Sequence, residues 1–230
     1  MSTPAIDNSG KSKLRHLSFI LKICVFATGC AAMVTEYTLA TLASYLLGDS
    51  IRQWTIVISL MLFSMGLGSR YSRKFKTDLL DRFTLTEFGL SFLCTFSAIF
   101  CFWISAYTIH FGLVIYGLAC MIGFMTGLEI PLITRINESY ESLRENISSV
   151  MEYDYYGGLL GGALFAFVLL PFLGLTYTPV LIGSLNLLVA SLILWTFPDH
   201  LTRPSILNIQ FAVLLMASIM AFAVAKPIIL

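Results

Sequence analysis

The chain has 230 residues, of which 57% are hydrophobic and 12% charged, and its formal net charge is +1. A soluble domain carries roughly a quarter charged residues, so this composition excludes an ordinary soluble enzyme and describes an all-α, polytopic transmembrane helix bundle whose solvent is the lipid bilayer. The Lys and Arg residues are dispersed among short polar stretches and form no basic stripe, which argues against nucleic acid as a partner.

In chain order, residues 1–16 read as a polar tail with Lys11, Lys13 and Arg15 before the first apolar run, and residues 17–230 as a single transmembrane domain. The first span, Leu17 to Leu47, is too long for a signal-peptide core. At about 1.5 Å per residue it exceeds the hydrocarbon thickness, so it must tilt, bend or emerge. Gly48, Asp49 and Ser50 make a turn. The second span covers Ile51 to Gly68, followed by a basic loop with Arg70, Arg73, Lys74, Lys76 and Arg82. The third runs from about Thr84 to Ser105 and the fourth from about His110 to Ile133. Between about 135 and 149 the apolar residues Ile136, Tyr140, Leu143, Ile147 and Val150 recur at helical spacing, which suits an amphipathic segment on the membrane surface or a prolongation of its neighbours. A fifth span reaches about Phe172. A sixth covers Pro179 to Phe197, a turn holds Pro198, Asp199, His200 and Arg203, and a seventh covers Ser205 to Ala225. With the amino terminus in the cytoplasm of a bacterial cell, only Arg52 and Lys226 fall outside, so the positive-inside rule sets the orientation of this multi-pass inner-membrane protein.

The five cysteines lie in apolar runs without a CxxC pair, and His16, His110 and His200 fall at segment ends. No metal and no cofactor are expected. Acids inside apolar runs are the chemical signal, because each is costly unless paired or used. Glu36, in TEYTLATLASY, is a candidate proton or cation site; the alternative is a structural carboxyl held by Thr35, Thr38 or Ser44. Glu129 precedes Pro131, whose missing donor frees a carbonyl in the preceding turn, so both oxygens are available to a cation. The alternative is an ion pair with Arg135. Asp154 shares a helical face with Gly157, Gly158 and Gly161, in a run continued by Gly162, where a neighbouring helix can approach and enclose it. Glu152 points about 200° away. Tyr153, Tyr155 and Tyr156 can cover a cation with their ring faces, or serve as interfacial belt residues. Asn137 and Asn146 begin N-x-S triplets, but the orientation puts them inside.

Several of these stretches are similar to one family. TEYTLATLASYLLG, QWTIVISLMLFSMGLGS, GLEIPLITRINE, NISSVMEYDYYGGLLGG and LPFLGLTYTP, between Thr35 and Ala190, resemble the membrane domain of bacterial membrane-bound spermidine synthase-like proteins. The resemblance implies a major-facilitator-like half followed by a soluble aminopropyltransferase domain, and a polyamine connection with decarboxylated S-adenosylmethionine as donor and putrescine as acceptor. Up to Leu230 there is no glycine-rich nucleoside-binding turn, so the expectation for this chain alone is not catalysis. It is polyamine binding or transport, or the anchoring of an aminopropyltransferase partner. Glu129, Glu152 and Asp154 would form a cytoplasmic-side cation site with Tyr153 and Tyr155, and Glu36 a deeper one. The alternatives are a proton-coupled transporter working as a homodimer and a structural subunit of a larger complex.

Overall fold

The computed structural model describes residues 8–198, 201, 202 and 204–225. The start of the expected tail (1–7), Asp199, His200 and Arg203 of the expected turn, and Lys226 lie outside the described residues. All regular structure among the described residues is helical: α1 (Asn8–Leu47), α2 (Ser50–Ser72), α3 (Leu79–Ser105), α4 (Phe111–Asn137), α5 (Leu143–Leu164), a π-helical turn at Phe165–Leu169, α6 (Leu170–Thr196) and α7 (Pro204–Ala225). Several hydroxyls inside these apolar helices bond to their own backbone. Thr35, Thr38 and Ser44 donate to the carbonyls of Ala31, Val34 and Ala40, one turn back. The turn after α1 follows its sequence: Gly48 takes φ 74°, and Asp49 caps α2 by accepting from the Arg52 amide at 3.2 Å.

Among the described residues, six segments are long and apolar enough to cross a membrane: Arg15–Leu47, Ser50–Ser72, Leu79–Ser105, Phe111–Asn137, Leu143–Thr196 and Pro204–Ala223. The expected fifth and sixth spans run together in the fifth of these, which has 54 residues. It is not straight. Gly174 adopts φ 63° and ψ −172°, a conformation open to glycine alone, and Thr178 Oγ1 donates to the carbonyl of Leu169 at 3.3 Å. Nine residues of continuous helix span roughly 13 Å, so that bond requires the chain to turn back. Helical hydrogen bonding passes both Pro171 and Pro179, and the break falls between them.

The stretch at 135–149 resolves into prolonged neighbours. Helix α4 continues to Asn137 and α5 begins at Leu143. Of the apolar stripe, Val150 is buried, whereas Leu143 and Ile147 are exposed. Asn137 and Asn146 are fully buried: Asn137 Nδ2 donates to Asn146 Oδ1 at 2.8 Å, and Asn146 Nδ2 to the Thr134 carbonyl at 2.7 Å. These asparagines tie α4 to α5.

Contacts between loops sort the helix ends into two groups. At one end Lys22 meets Glu141, Arg135 meets the α2–α3 turn, Tyr140 meets Phe197, and the Thr202 amide donates to Asp81. At the other, Tyr45 packs on Phe102 and Leu47 lies against Gly112. Helix α1 packs most closely on α5, α2 on α4, and α3 on α6. Two apolar cores fill the bundle. The one nearer the first end contains Leu21, Val25, Phe83, Leu132 and Leu187; the other contains Ala31, Val34, Leu90, Ile122 and Ile182.

At the first end, Lys22 Nζ stands 2.6 Å from Glu141 Oε1. Partial burial works to raise the Glu141 carboxyl, but the hydrogen bond and charge of Lys22 and the Ser149 hydroxyl outweigh it, so the group titrates below the usual glutamate range. A depressed folded value means stability that is fully present above the unfolded value of about 4.3 and is lost as pH falls through the lower folded one. Melting temperatures measured down an acid series should therefore fall less steeply for Glu141→Gln than for the wild type.

Candidate functional site

Where the two cores adjoin lies a polar layer contributed by four helices. Thr28 falls between Val25 of one core and Ala31 of the other, and Asn186 between Ile182 and Leu187; Glu87 lies between Phe83 and Phe88 of the first core, just before Leu90 of the second, and Glu129 between Leu128 and Leu132 of the first. Measured along the helices, Glu87 comes eight residues after Leu79, Glu129 eight before Asn137, and Asp154 eleven after Leu143. At about 1.5 Å per residue these three acids share a depth of roughly 12–16 Å from the first end.

Glu87 is completely buried and Glu129 is 5% exposed. Their carboxyls lie within hydrogen-bonding reach of each other, and Asp154 is within electrostatic reach of Glu129. Among the described residues, no donor group serves either oxygen of Glu87. Glu129 lines a narrow crevice with Thr28, Thr35, Cys94, Thr126 and Asn186, with no room for a water molecule. Arg135, the sequence's alternative partner for Glu129, is used elsewhere: Nε donates to the Pro131 carbonyl at 3.0 Å, and the two terminal nitrogens to Phe75 and Ser72 at 2.8 and 2.9 Å. Pro131 lies within α4 and cannot donate to the Gly127 carbonyl.

Asp154 is brought in by close packing of α5 on α1. A Cβ added to Gly157 would collide with the Phe26 carbonyl, and one on Gly161 would lie 2.5 Å from the Cys30 carbonyl oxygen. Across the seam, a Cβ on Gly29 would stand 2.7 Å from Asp154 Oδ1. Gly158 and Gly162 make ordinary contacts with Met33 and Tyr37.

The other candidates are placed apart. Glu36 is half-buried on α1 nearer the second end, and the hydroxyls of Thr35, Thr38 and Ser44 are occupied with backbone carbonyls. Glu152 is exposed, Tyr155 and Tyr156 face outward at 63% and 57% exposure, and Tyr153 packs against the first core. Glu87 and Asn186 were not among the sequence candidates. The signal for Glu87 was present, since it is an acid inside an apolar run like Glu36.

Comparison with curated proteins finds extended similarity to polyamine aminopropyltransferases. Polyamine aminopropyltransferase 2 of Aquifex aeolicus is 49% identical over 178 residues, which take in 77% of this chain and 36% of that protein. The polyamine aminopropyltransferase of Oceanobacillus iheyensis is 38% identical over 184 residues (76% of this chain, 36% of the relative). That of Leptospira interrogans is 34% identical over 203 residues (88% and 41%). The chain thus spans between 36% and 41% of the length of these relatives. No protein-family model and no solved structure matches it.

Proposed function

We propose that this chain is the membrane-embedded part of a polyamine aminopropyltransferase-like protein, crossing the membrane seven times, and that its interior acids bind an ammonium group of a polyamine. The observation that carries the reading is that Glu129 and Asp154 lie at similar depth in the bundle, near enough for their charges to interact, with neither in an ion pair among the described residues. A polyamine is a flexible polycation, and charge-assisted contacts to carboxylates are its natural recognition chemistry. The similarity to proteins named for polyamine chemistry supports the same choice. The seventh crossing follows from taking the chain reversal at Gly174 as the boundary between two spans. The orientation follows from charge: Lys22, Arg70, Arg73, Lys74, Arg135 and Arg144 cluster at the first end, which is therefore cytoplasmic, and Arg52 lies at the other. In this arrangement the acid layer lies roughly 12–16 Å from the cytoplasmic end of the bundle. The alternative of a proton-coupled transporter working as a homodimer is not adopted.

Calorimetry of spermidine binding to the chain in lipid nanodiscs tests the site. Replacing Glu129 by Gln and Asp154 by Asn together removes two charge-assisted contacts, so affinity should fall by about a hundredfold or more. Glu36→Gln and Glu152→Gln, at positions outside the cluster, should bind like the wild type. Unchanged affinity in the double variant would sink the proposal.

A further inference from the structure

Several buried polar atoms of the layer have no partner among the described residues. Both oxygens of Glu87 are unpartnered, and so are the hydroxyls of Ser91 and Thr95, one and two turns further along the same face of α3. Opposite them on α6, Asn186 is 2% exposed and its Oδ1 is also unpartnered, at the crevice that Glu129 lines. The two helices are held close here: a Cβ on Gly183 would collide with Thr95 Oγ1 and lie 2.6 Å from the Ser91 carbonyl.

The groups facing the two glutamates can be named helix by helix. Helix α1 contributes Cys24, α3 Cys94, α5 Asp154, and α6 the neutral Asn186. Among the described residues, no Lys, Arg or His forms an ion pair with either carboxyl. An ionised carboxylate left without counter-ion or water is costly by several kcal/mol, and two carboxyls placed together hydrogen-bond only when one of them carries the proton.

We propose that Glu87 and Glu129 form a carboxyl dyad that holds one exchangeable proton in the centre of the bundle, with Asp154 as its relay to the surface. Asp154 is half-buried, and its charge is within reach of Glu129. On loading, a proton passes from a solvent acid to the Asp154 carboxylate, from there to Glu129, and comes to rest between Glu129 and Glu87. Release retraces the path. Only O–H bonds form and break, and no electron is transferred.

Infrared spectroscopy of the chain in nanodiscs tests this without any amine, so its outcome is separate from that of the polyamine reading. The wild type should show a protonated-carboxyl stretch at neutral pH that shifts on transfer to D2O. Glu87→Gln and Glu129→Gln should each abolish it. Glu87→Asp, which keeps the acid but shortens its reach, should move the band, and serves if a Gln variant does not fold. Asp154→Asn should retain the band but slow its deuterium shift by about a hundredfold, the lower range of what a positioned proton carrier contributes. A band that survives all the Glu87 and Glu129 variants unchanged, or that never exchanges with D2O in the wild type, overturns the proposal.

Discussion

Gly157→Ala and Gly161→Ala should lower the melting temperature of the purified chain, while Gly66→Ala and Gly117→Ala should raise it. All four sites are helical, and at an open helical position alanine is favoured over glycine by about 0.5–1 kcal/mol. Gly66 and Gly117 are open, with nothing within 4 Å of an added Cβ. At Gly157 and Gly161 the same methyl group falls on the backbone of α1 at Phe26 and Cys30. A backbone carbonyl cannot rotate aside as a side chain can, so the helices must separate, and overpacking of this kind costs about 1–3 kcal/mol. For a chain of this length each kcal/mol corresponds to about 2–4 °C. The two pairs should therefore move in opposite directions in a thermal-shift measurement, and four changes of the same sign would refute this account of the α1–α5 seam. On the proposed membrane reading, small residues matter here because lipid offers no hydrophobic drive for helices to associate, leaving close packing to do so.

That seam is legible in the sequence alone, because Asp154, Gly157 and Gly161 recur at helical spacing and glycine has one obvious use on such a face. The helices were legible too, to within several residues, from apolar run length. Glu87 was not singled out, although it met the same criterion as Glu36. What makes it significant is Glu129, 42 positions away, and no local pattern joins the two. A depth comparison would have narrowed the field: counted from helix ends on the basic side, Glu87, Glu129 and Asp154 fall in one layer and Glu36 does not. The turn at Gly174 was hidden for a different reason. Pro171 and Pro179 are the stronger sequence punctuation, but both are accommodated in helix, and the reversal uses the glycine between them.

Arg135 shows how a plausible pairing gives way to a geometry that sequence cannot display. Its charge, six residues after Glu129, suggests an ion pair, yet its planar fork spans the carbonyls of Ser72 and Phe75, with Nε on its own helix. Ser72 closes α2, so the guanidinium also meets the negative end of that helix dipole. Arg135→Ala should destabilise the chain by about 2–4 kcal/mol, since hydrogen bonds from a charged donor are worth about 1.5–3 kcal/mol each and these three are not independent. Arg135→Lys should fall between, keeping the charge but not the fork. The turn at 73–78 would lose its tie to α4, so trypsin should cut at Arg73, Lys74 or Lys76 faster in both variants, most in the alanine one. Spermidine affinity should hardly change, because Glu129 does not depend on Arg135 for a counter-ion. If Arg135→Ala instead melted like the wild type while altering amine binding, the arginine would have to be assigned to Glu129, and the carboxyl layer would no longer be free of fixed positive charge.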